Sequence, residues 1–396
     1  MSVFNSLGSN YTPRFAMRSL IAVGSRSDTK PLRKLLQERY SGEVELTYKG
    51  RQALREAVMA LQLPAGSKVA INGFTCYVVW QAVVDAGCTP VFIDVAPGSL
   101  HFDAQGLQDC YKKHRDLKAV IIQNSLGIAC DIQGVEKQCK QRSLALVEDL
   151  AHSMGVRYAD DREAGTVGDT VMLSFSQDKP LDAVAGGAVI YRKGLIGDLK
   201  LKPMVDWRQR FINRIYPLAS SSIRLWYSVR LGAVLHAGLK SINLMATPMS
   251  GNSKKTLRMS PLAVRLVLSE WSAQKSVIKH RRAITAIYQA ALPAKVRLSM
   301  QKDEACLRYP LFVDDPKSLI AYLRQIGVYV GDTWYDAPIG PKRYMEKTDY
   351  RAGMCPNAEY AAAHIVNLPT HVHVSESDAK RIVERVNQWL KSQHEQ

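Results

Sequence analysis

The sequence predicts an α/β fold: a large domain around a mostly parallel, mixed sheet, then a smaller C-terminal α+β domain. Three observations lead there. Between about residues 50 and 195, helical segments alternate with short, continuously apolar runs, the pattern of strands covered by helices on both faces. A chain of 396 residues exceeds the usual size of one compact domain. Beyond residue 258, short strands and helices follow in a different, mixed pattern. The boundary is therefore drawn with residues 1–257 in the large domain and residues 258–396 in the small one.

In chain order, Gly50 to Leu61 reads as a helix with Leu54, Val58 and Leu61 on one side. Val69 to Asn72 is a short strand and Tyr77 to Ala86 a helix. Thr89 to Val95, Ala119 to Gln123, Ala145 to Glu148, Val171 to Phe175 and Ala188 to Tyr191 are further strands. In such a sheet ligands bind at the carboxyl ends of the strands. Residues from about 200 to 257 differ: Lys200 to Arg258 contains eleven Lys/Arg against one acid, Asp206, and carries Trp207, Tyr216, Trp226 and Tyr227. Two readings stand for this insert: a helix pair packed on the large domain or on a partner subunit, or an interfacial pair drawn to anionic lipid. Arg224 and Arg230 interrupt its apolar pattern and argue against spanning. One long helix is expected from Ser260 onward. Then come a strand around Arg308 to Val313, a helix from Pro316 to Ile326, and a last helix from Ser377 to Lys391 opened by Ser375 to Asp378.

The formal charge of +17 marks a surface that attracts anions. The charge is spread along the chain, with no Lys/Arg tract and no helix-turn-helix or zinc-finger pattern, which argues against nucleic acid as partner. No stretch approaches twenty uninterrupted apolar residues, and Met1 to Arg18 lacks the features of a secretory signal. Seven cysteines stand singly, with no C-x-x-C pair, as reduced thiols in a cytoplasm do. The expected location is cytoplasmic, peripheral to the inner face of the membrane if residues 205–250 contact anionic lipid.

The informative stretch runs from residue 145 to 191. It reads ALVEDLAHS, then AGTVGDTVMLSFSQDK, then AVAGGAVIY. One apolar strand ends in Glu148-Asp149, with His152 three residues beyond the aspartate. A second ends in Ser174-Phe175, with Lys179 five residues past the serine; Gly186 and Gly187 then precede another strand. An acid, a hydroxyl and a lysine are thus each presented at a strand end.

This arrangement resembles the sugar aminotransferases of the DegT/StrS type, within the fold-type I enzymes that use pyridoxal 5'-phosphate. That family carries an E-D-x-A-[HQ] strand end, then S-F-x-x-x-K, then a G-G-A-V strand, and this sequence matches in order and spacing. Further similar segments are GFTCYVVWQAVVDAGCTPVFIDV, YKGRQALREAVMAL, RMSPLAVRLVLSEW and MCPNAEYAAAHIVNLPTHVHVSESDAKRI, so the resemblance extends over more than 300 residues in the right order. It implies Asp149 on the pyridine nitrogen, His152 near the ring hydroxyl, Ser174 on the phosphate and Lys179 as the Schiff-base lysine. The residue types suit the chemistry. An amine must hold the cofactor aldehyde and then relay a proton, a carboxylate must keep the ring nitrogen protonated, and the phosphate needs hydroxyl and N–H donors at a helix start.

Three positions depart from the family pattern. Its Gly-Thr at the phosphate helix is Gly50-Arg51 here; an arginine there either binds phosphate bidentately or points away. The aromatic residue that often follows Thr75 over the ring is Cys76, with Tyr77 or Trp80 as substitutes. The asparagine that reaches a neighbouring subunit's phosphate corresponds to Thr256. Asn124 falls where the family places a His, Gln or Asn beside the cofactor. His371 and His373, read at strand spacing on one face, lack a third ligand nearby, so no metal is expected. The resemblance implies a homodimer that moves an amino group from a donor such as glutamate to a nucleotide-linked keto-sugar. Two rivals are another reaction on the same scaffold and a non-catalytic, membrane-surface protein that kept the fold. The retained Lys179 argues against the family's lysine-lacking dehydratases.

Overall fold

The computed structural model describes residues 2–192, 194–195, 203–245, 254–301, 303–331 and 335–393. Its centre is a seven-stranded sheet of β1 (Glu43–Thr47), β2 (Lys68–Asn72), β3 (Thr89–Ile93), β4 (Leu117–Gln123), β5 (Ala145–Asp149), β6 (Thr170–Ser174) and β7 (Gly187–Tyr191). They lie in the order β1-β7-β6-β5-β4-β2-β3. Strand β7 runs against both neighbours and the remaining pairs are parallel. All five residues of β6 and of β7 are buried, which is why they read as unbroken apolar runs rather than alternating ones. The expected strands are present to within two residues at their ends. Strand β1 was not expected: it is short, carries an exposed Glu43 and a partly exposed Glu45 among buried residues, and begins with a glutamate. Its place at the edge is secured by the Tyr191 hydroxyl, which donates to Glu45 at 2.9 Å.

Six helices bear on the site and its surroundings: α1 (Pro13–Ile21), α2 (Gly50–Met59), α3 (Trp207–Leu225), α4 (Leu231–Ser241), α5 (Pro261–Trp271) and α6 (Gln274–Ala291). Pro13 opens α1 behind Thr12, whose hydroxyl accepts from the Phe15 N–H at 3.1 Å. On one side of the sheet Leu54, Ala57 and Val58 of α2 pack on Val69, Ile121, Val147 and Val189. The other side is covered by a larger cluster that includes Leu36, Phe102, Val120, Leu173 and Val264. The single helix expected from Ser260 is in fact two. The chain breaks at Ser272–Ala273 because its halves serve different cores. Ala263, Val264 and Val267 of α5 belong to the cluster under the sheet. Ile284 and Tyr288 of α6 belong to a separate C-terminal cluster.

That C-terminal cluster forms around the antiparallel pair Arg308–Phe312 and Ile365–Pro369 and includes Leu319, Ile382 and Trp389 from flanking helices. Ser375 and Asp378 form a reciprocal capping box at the start of the last helix, Glu376–Ser392. The first residues of the chain join this part: Val3–Phe4 pairs in parallel with Val328–Tyr329. The line between residues 257 and 258 is thus crossed by α5 in one direction and by Val3 in the other. His371 and His373 do not share a strand face, since the strand ends at Pro369. Their Nε2–H groups donate to the carbonyls of Phe4 at 2.8 Å and Tyr11 at 2.9 Å, contacts that tie the N-terminal segment down. Among the described residues no group of three or more His, Cys, Asp or Glu could hold a metal ion, and no helix is long and apolar enough to cross a membrane. None of the seven cysteines is bridged.

Candidate active site

The carboxyl ends of β4, β5 and β6 and the start of α2 meet at one cavity. It holds about 760 Å³ of space between atoms, part of it open to solvent. Its lining includes Gly50, Arg51, Cys76, Asn124, Asp149, His152, Ser174 and Lys179. Eight of the ten residues singled out from the sequence are thereby brought together. Tyr77 and Thr256 are not. Helix formation from residue 77 places the Tyr77 ring between those of Trp80 and Tyr344, at centroid distances of 5.6 and 5.1 Å. Trp80 is likewise absent from the lining. Thr256 is buried, and its hydroxyl donates to Glu56.

Asp149 is the last residue of β5 and is 3% exposed. It accepts from the Ala151 N–H at 2.9 Å and from Gln123 Nε2 at 3.0 Å. Burial pushes its carboxyl up, while the Ala151 N–H, Lys179 and Gln123 oppose the rise. A desolvated carboxylate of this kind gains strongly from a cation brought against it. Gln123 ends β4 in direct register with Asp149 and also accepts from the Thr75 hydroxyl, so the acid is oriented through a relay that the sequence reading missed.

Lys179 stands on the loop between β6 and β7, half-buried, with its amine pushed down to about 8 by desolvation. Cys76 and Asp149 pull it back upward, which places the amine within electrostatic reach of the acid. The loop is pinned from behind by Asp182, another residue the sequence reading passed over. Its carboxylate accepts from the Asp178 N–H at 2.7 Å, the Val184 N–H at 2.9 Å and the Tyr11 hydroxyl at 2.7 Å. Asp178 and Val184 have φ of 60° and 68°, values costly for residues with a Cβ, so these hydrogen bonds hold a turn that the chain would not adopt freely. Burial and the neighbouring Asp178 push Asp182 up to about 7.

His152 accepts at Nδ1 from the Leu126 N–H at 3.2 Å, which leaves its proton on Nε2. Burial holds the ring neutral, and Lys179 and Arg308 act in the same direction. The Tyr335 hydroxyl lies 3.2 Å from the same Nδ1; Tyr335 lines the cavity and stacks on Phe74. Asn124 reaches the lining, but its side chain serves the scaffold. It accepts from the Cys130 N–H at 3.0 Å and donates to Ser153 and Tyr158, each at 3.3 Å.

Around the start of α2 the cavity wall is cationic. Lys49 precedes α2 and gives its first turn no side-chain acceptor, so the helix start, flanked by Ser174 and Ser176, suits an anion. Lys49 and Arg51 both line it. Burial and the adjacent Arg51 push Lys49 down to about 7, and burial lowers Arg51 as well. Gly50 is required for this close approach: a Cβ there would lie 2.6 Å from Ser174 Cβ and 2.7 Å from its Oγ. Ser174 is paired with Gly187 inside the sheet and cannot retreat. Gly50→Ala is therefore expected to lower stability by about 1–3 kcal/mol, read from urea unfolding; an unchanged midpoint would show that the approach is looser than described.

A strand-end cavity in an α/β fold that joins a half-buried amine, a buried acid and a helix-start anion cradle defines a cofactor-dependent group-transfer site. The model of the DegT/DnrJ/EryC1/StrS aminotransferase family matches residues 44–201 and 240–387, and the chain belongs to that family. The chain is 32% identical over 155 residues to a GDP-perosamine synthase of Vibrio cholerae, a match spanning 39% of this chain and 41% of that enzyme. It is 23% identical over 337 residues to the UDP-2-acetamido-2-deoxy-3-oxo-D-glucuronate aminotransferase of Pseudomonas aeruginosa, covering 84% and 82% of the two chains. The structure of NtdA from Bacillus subtilis with bound cofactor PMP superposes with a TM-score of 0.73 at 16% identity, over 98% of this chain and 85% of that one. At that identity the likeness concerns the fold, which is the expected fold-type I arrangement.

Proposed function

We propose that this aminotransferase uses pyridoxal 5'-phosphate to move an amino group from a donor such as glutamate to a nucleotide-linked keto-sugar, working as a cytoplasmic homodimer. The relatives' names support a nucleotide sugar as acceptor. The observation that carries the reading is that the half-buried Lys179 and the buried Asp149 line one cavity together with the start of α2 and its cations. When bound, the cofactor supplies an electron sink and an aldehyde that carries the amino group.

The chain's own residues fit that cofactor. Lys179 would hold the cofactor aldehyde and move the proton at the reacting carbon; an amine pushed down toward neutrality is suited to both tasks. Asp149 would keep the ring nitrogen protonated, and His152 would donate Nε2–H to the ring oxygen. Ser174, the N–H groups that open α2 and Arg51 would hold the phosphate, with Lys49 beside them. Cys76, half-buried in the lining, would stand where the family has an aromatic residue over the ring. Thr256 does not line its own chain's cavity and its hydroxyl donates to Glu56; a contact with the neighbouring subunit's phosphate is the role the family resemblance would give it. The expected contact of residues 205–250 with an anionic membrane is independent of this chemistry.

Two measurements test the reading. Glutamate added to purified holoenzyme is expected to bleach the imine absorbance, and a nucleotide-linked keto-sugar to restore it; an unresponsive spectrum would leave a non-catalytic role. In the cofactor-free protein, the rate of pyridoxal phosphate uptake is expected to climb with pH and level off near about 8. The neutral amine is the nucleophile, and burial brings Lys179 there from its ordinary 10.5. A rate still climbing steeply above pH 10 would mean that an exposed lysine reacts instead.

A further inference from the structure

Helix α3 is apolar on two sides. Ile212, Tyr216 and Ile223 face the core. Trp207, Phe211, Leu218 and Leu225, spaced by four, seven and seven residues, form a second stripe on the opposite, exposed side. Trp207 is 72% and Leu225 73% exposed. Helix α4 continues the surface. Its sequence is LGAVLHAGLKS, yet Gly232 is its one buried residue and Val234 is 69% exposed. A helix this apolar belongs in a core or at a lipid interface. Alongside, α1 packs on α3: the Ser19 hydroxyl donates to the Arg214 carbonyl at 3.0 Å, and Arg214 donates to the carbonyls of Leu20 and Ala22. The end of α1 adds Ile21 and Val23, 70% and 85% exposed.

Charge identifies the occupant. Between residues 203 and 245 the one acid is Asp206, whereas Arg208, Arg210, Arg230 and Lys240 are all exposed. We propose that α1, α3 and α4 form a docking surface for an anionic lipid bilayer, with α4 lying in the headgroup region. Tryptophan and arginine side by side suit that boundary, the indole half-immersed and the guanidinium reaching back to phosphate. A second copy of the chain fits poorly. A two-fold contact would set these cations against their own equivalents. Nucleic acid would satisfy the charge and leave the apolar stripe in water.

The test uses the full chain as holoenzyme. It is sedimented with vesicles of phosphatidylglycerol and phosphatidylcholine, and with vesicles of phosphatidylcholine alone. Wild type is expected to pellet with the anionic vesicles and be released by salt. Two variants separate the contributions: W207S/F211S/L225S removes the stripe, and R208E/R230E reverses two charges. Both avoid Tyr216 and Arg224, the latter donating to the Gly8 and Tyr11 carbonyls behind the Lys179 loop. Each variant is expected to lose binding at least about tenfold with aminotransferase turnover and circular dichroism unchanged. The proposal is overturned if wild type stays in solution, or if the stripe variant binds like wild type. It is also overturned if the stripe variant falls from dimer to monomer in light scattering, since the face would then be a subunit contact. None of these outcomes touches the transamination reading, which rests on the cavity.

Discussion

Lys179→Ala is expected to lower amino-group transfer by at least about 10³-fold, since it removes both the cofactor's covalent anchor and the proton relay. The loss should fall on turnover in both half-reactions rather than on folding. Desolvation pushes the Lys179 amine down, so its charged form is held at a cost, and its removal relieves that cost. The thermal midpoint of the cofactor-free variant is therefore expected to match or exceed that of wild type. A variant that lost activity together with stability would point to a structural lysine. Cofactor should still enter the variant, because the cradle of Gly50, Arg51 and Ser174 is untouched, but it should exchange readily on dialysis.

Asp149→Asn is the second large effect, expected at about 10²–10³-fold in turnover. The substitution is nearly isosteric and the surrounding hydrogen bonds can absorb it. The new side-chain carbonyl still accepts from the Ala151 N–H. A turn of the Gln123 amide then presents its oxygen to the NH₂ introduced by the substitution, and its own NH₂ to the Thr75 hydroxyl, which accepts as readily as it donates. What disappears is the negative charge opposite the ring nitrogen. Asp149→Ala would remove the hydrogen bonds too and leave Gln123 with a buried donor unmatched, at a further cost of about 1–3 kcal/mol in stability. If Asp149→Asn retained wild-type turnover while Asp149→Ala did not, the carboxylate would be a scaffold residue.

Much of this site could be read from the sequence because its chemistry is local. Asp149, His152, Ser174 and Lys179 fall within two strand ends and the turns that follow, and the structure lines one cavity with all four. What stayed hidden arrives through space. Gln123 touches Asp149 because β4 and β5 are in register, a relation no single segment displays, although two polar residues each closing an apolar strand offered a signal. Tyr335 comes from almost two hundred positions downstream, and Asp182 acts through a turn whose backbone values only a structure reports. Lys49 precedes Gly50 in plain view, but nothing in a lone lysine distinguishes a cavity wall from a solvated surface. Tyr77 went the other way: instead of lining the cavity, its ring lies between those of Trp80 and Tyr344. For the fold, continuous apolar strands were legible, while β1, half-exposed at an edge, and the break at Ser272–Ala273 depend on which core each segment meets.

The cavity holds two lysines with lowered amines, so the two must be told apart. Lys49 lies at the anion-binding end with Nζ 5.6 Å from the centre of the Tyr48 ring, while Lys179 lies within reach of Asp149. Borohydride reduction of the holoenzyme, followed by proteolysis and mass mapping, reports which amine carries the cofactor. The reduced pyridoxyl group is expected on the peptide containing Lys179; its recovery on Lys49, or on any other lysine, would contradict the assignment of the anchor.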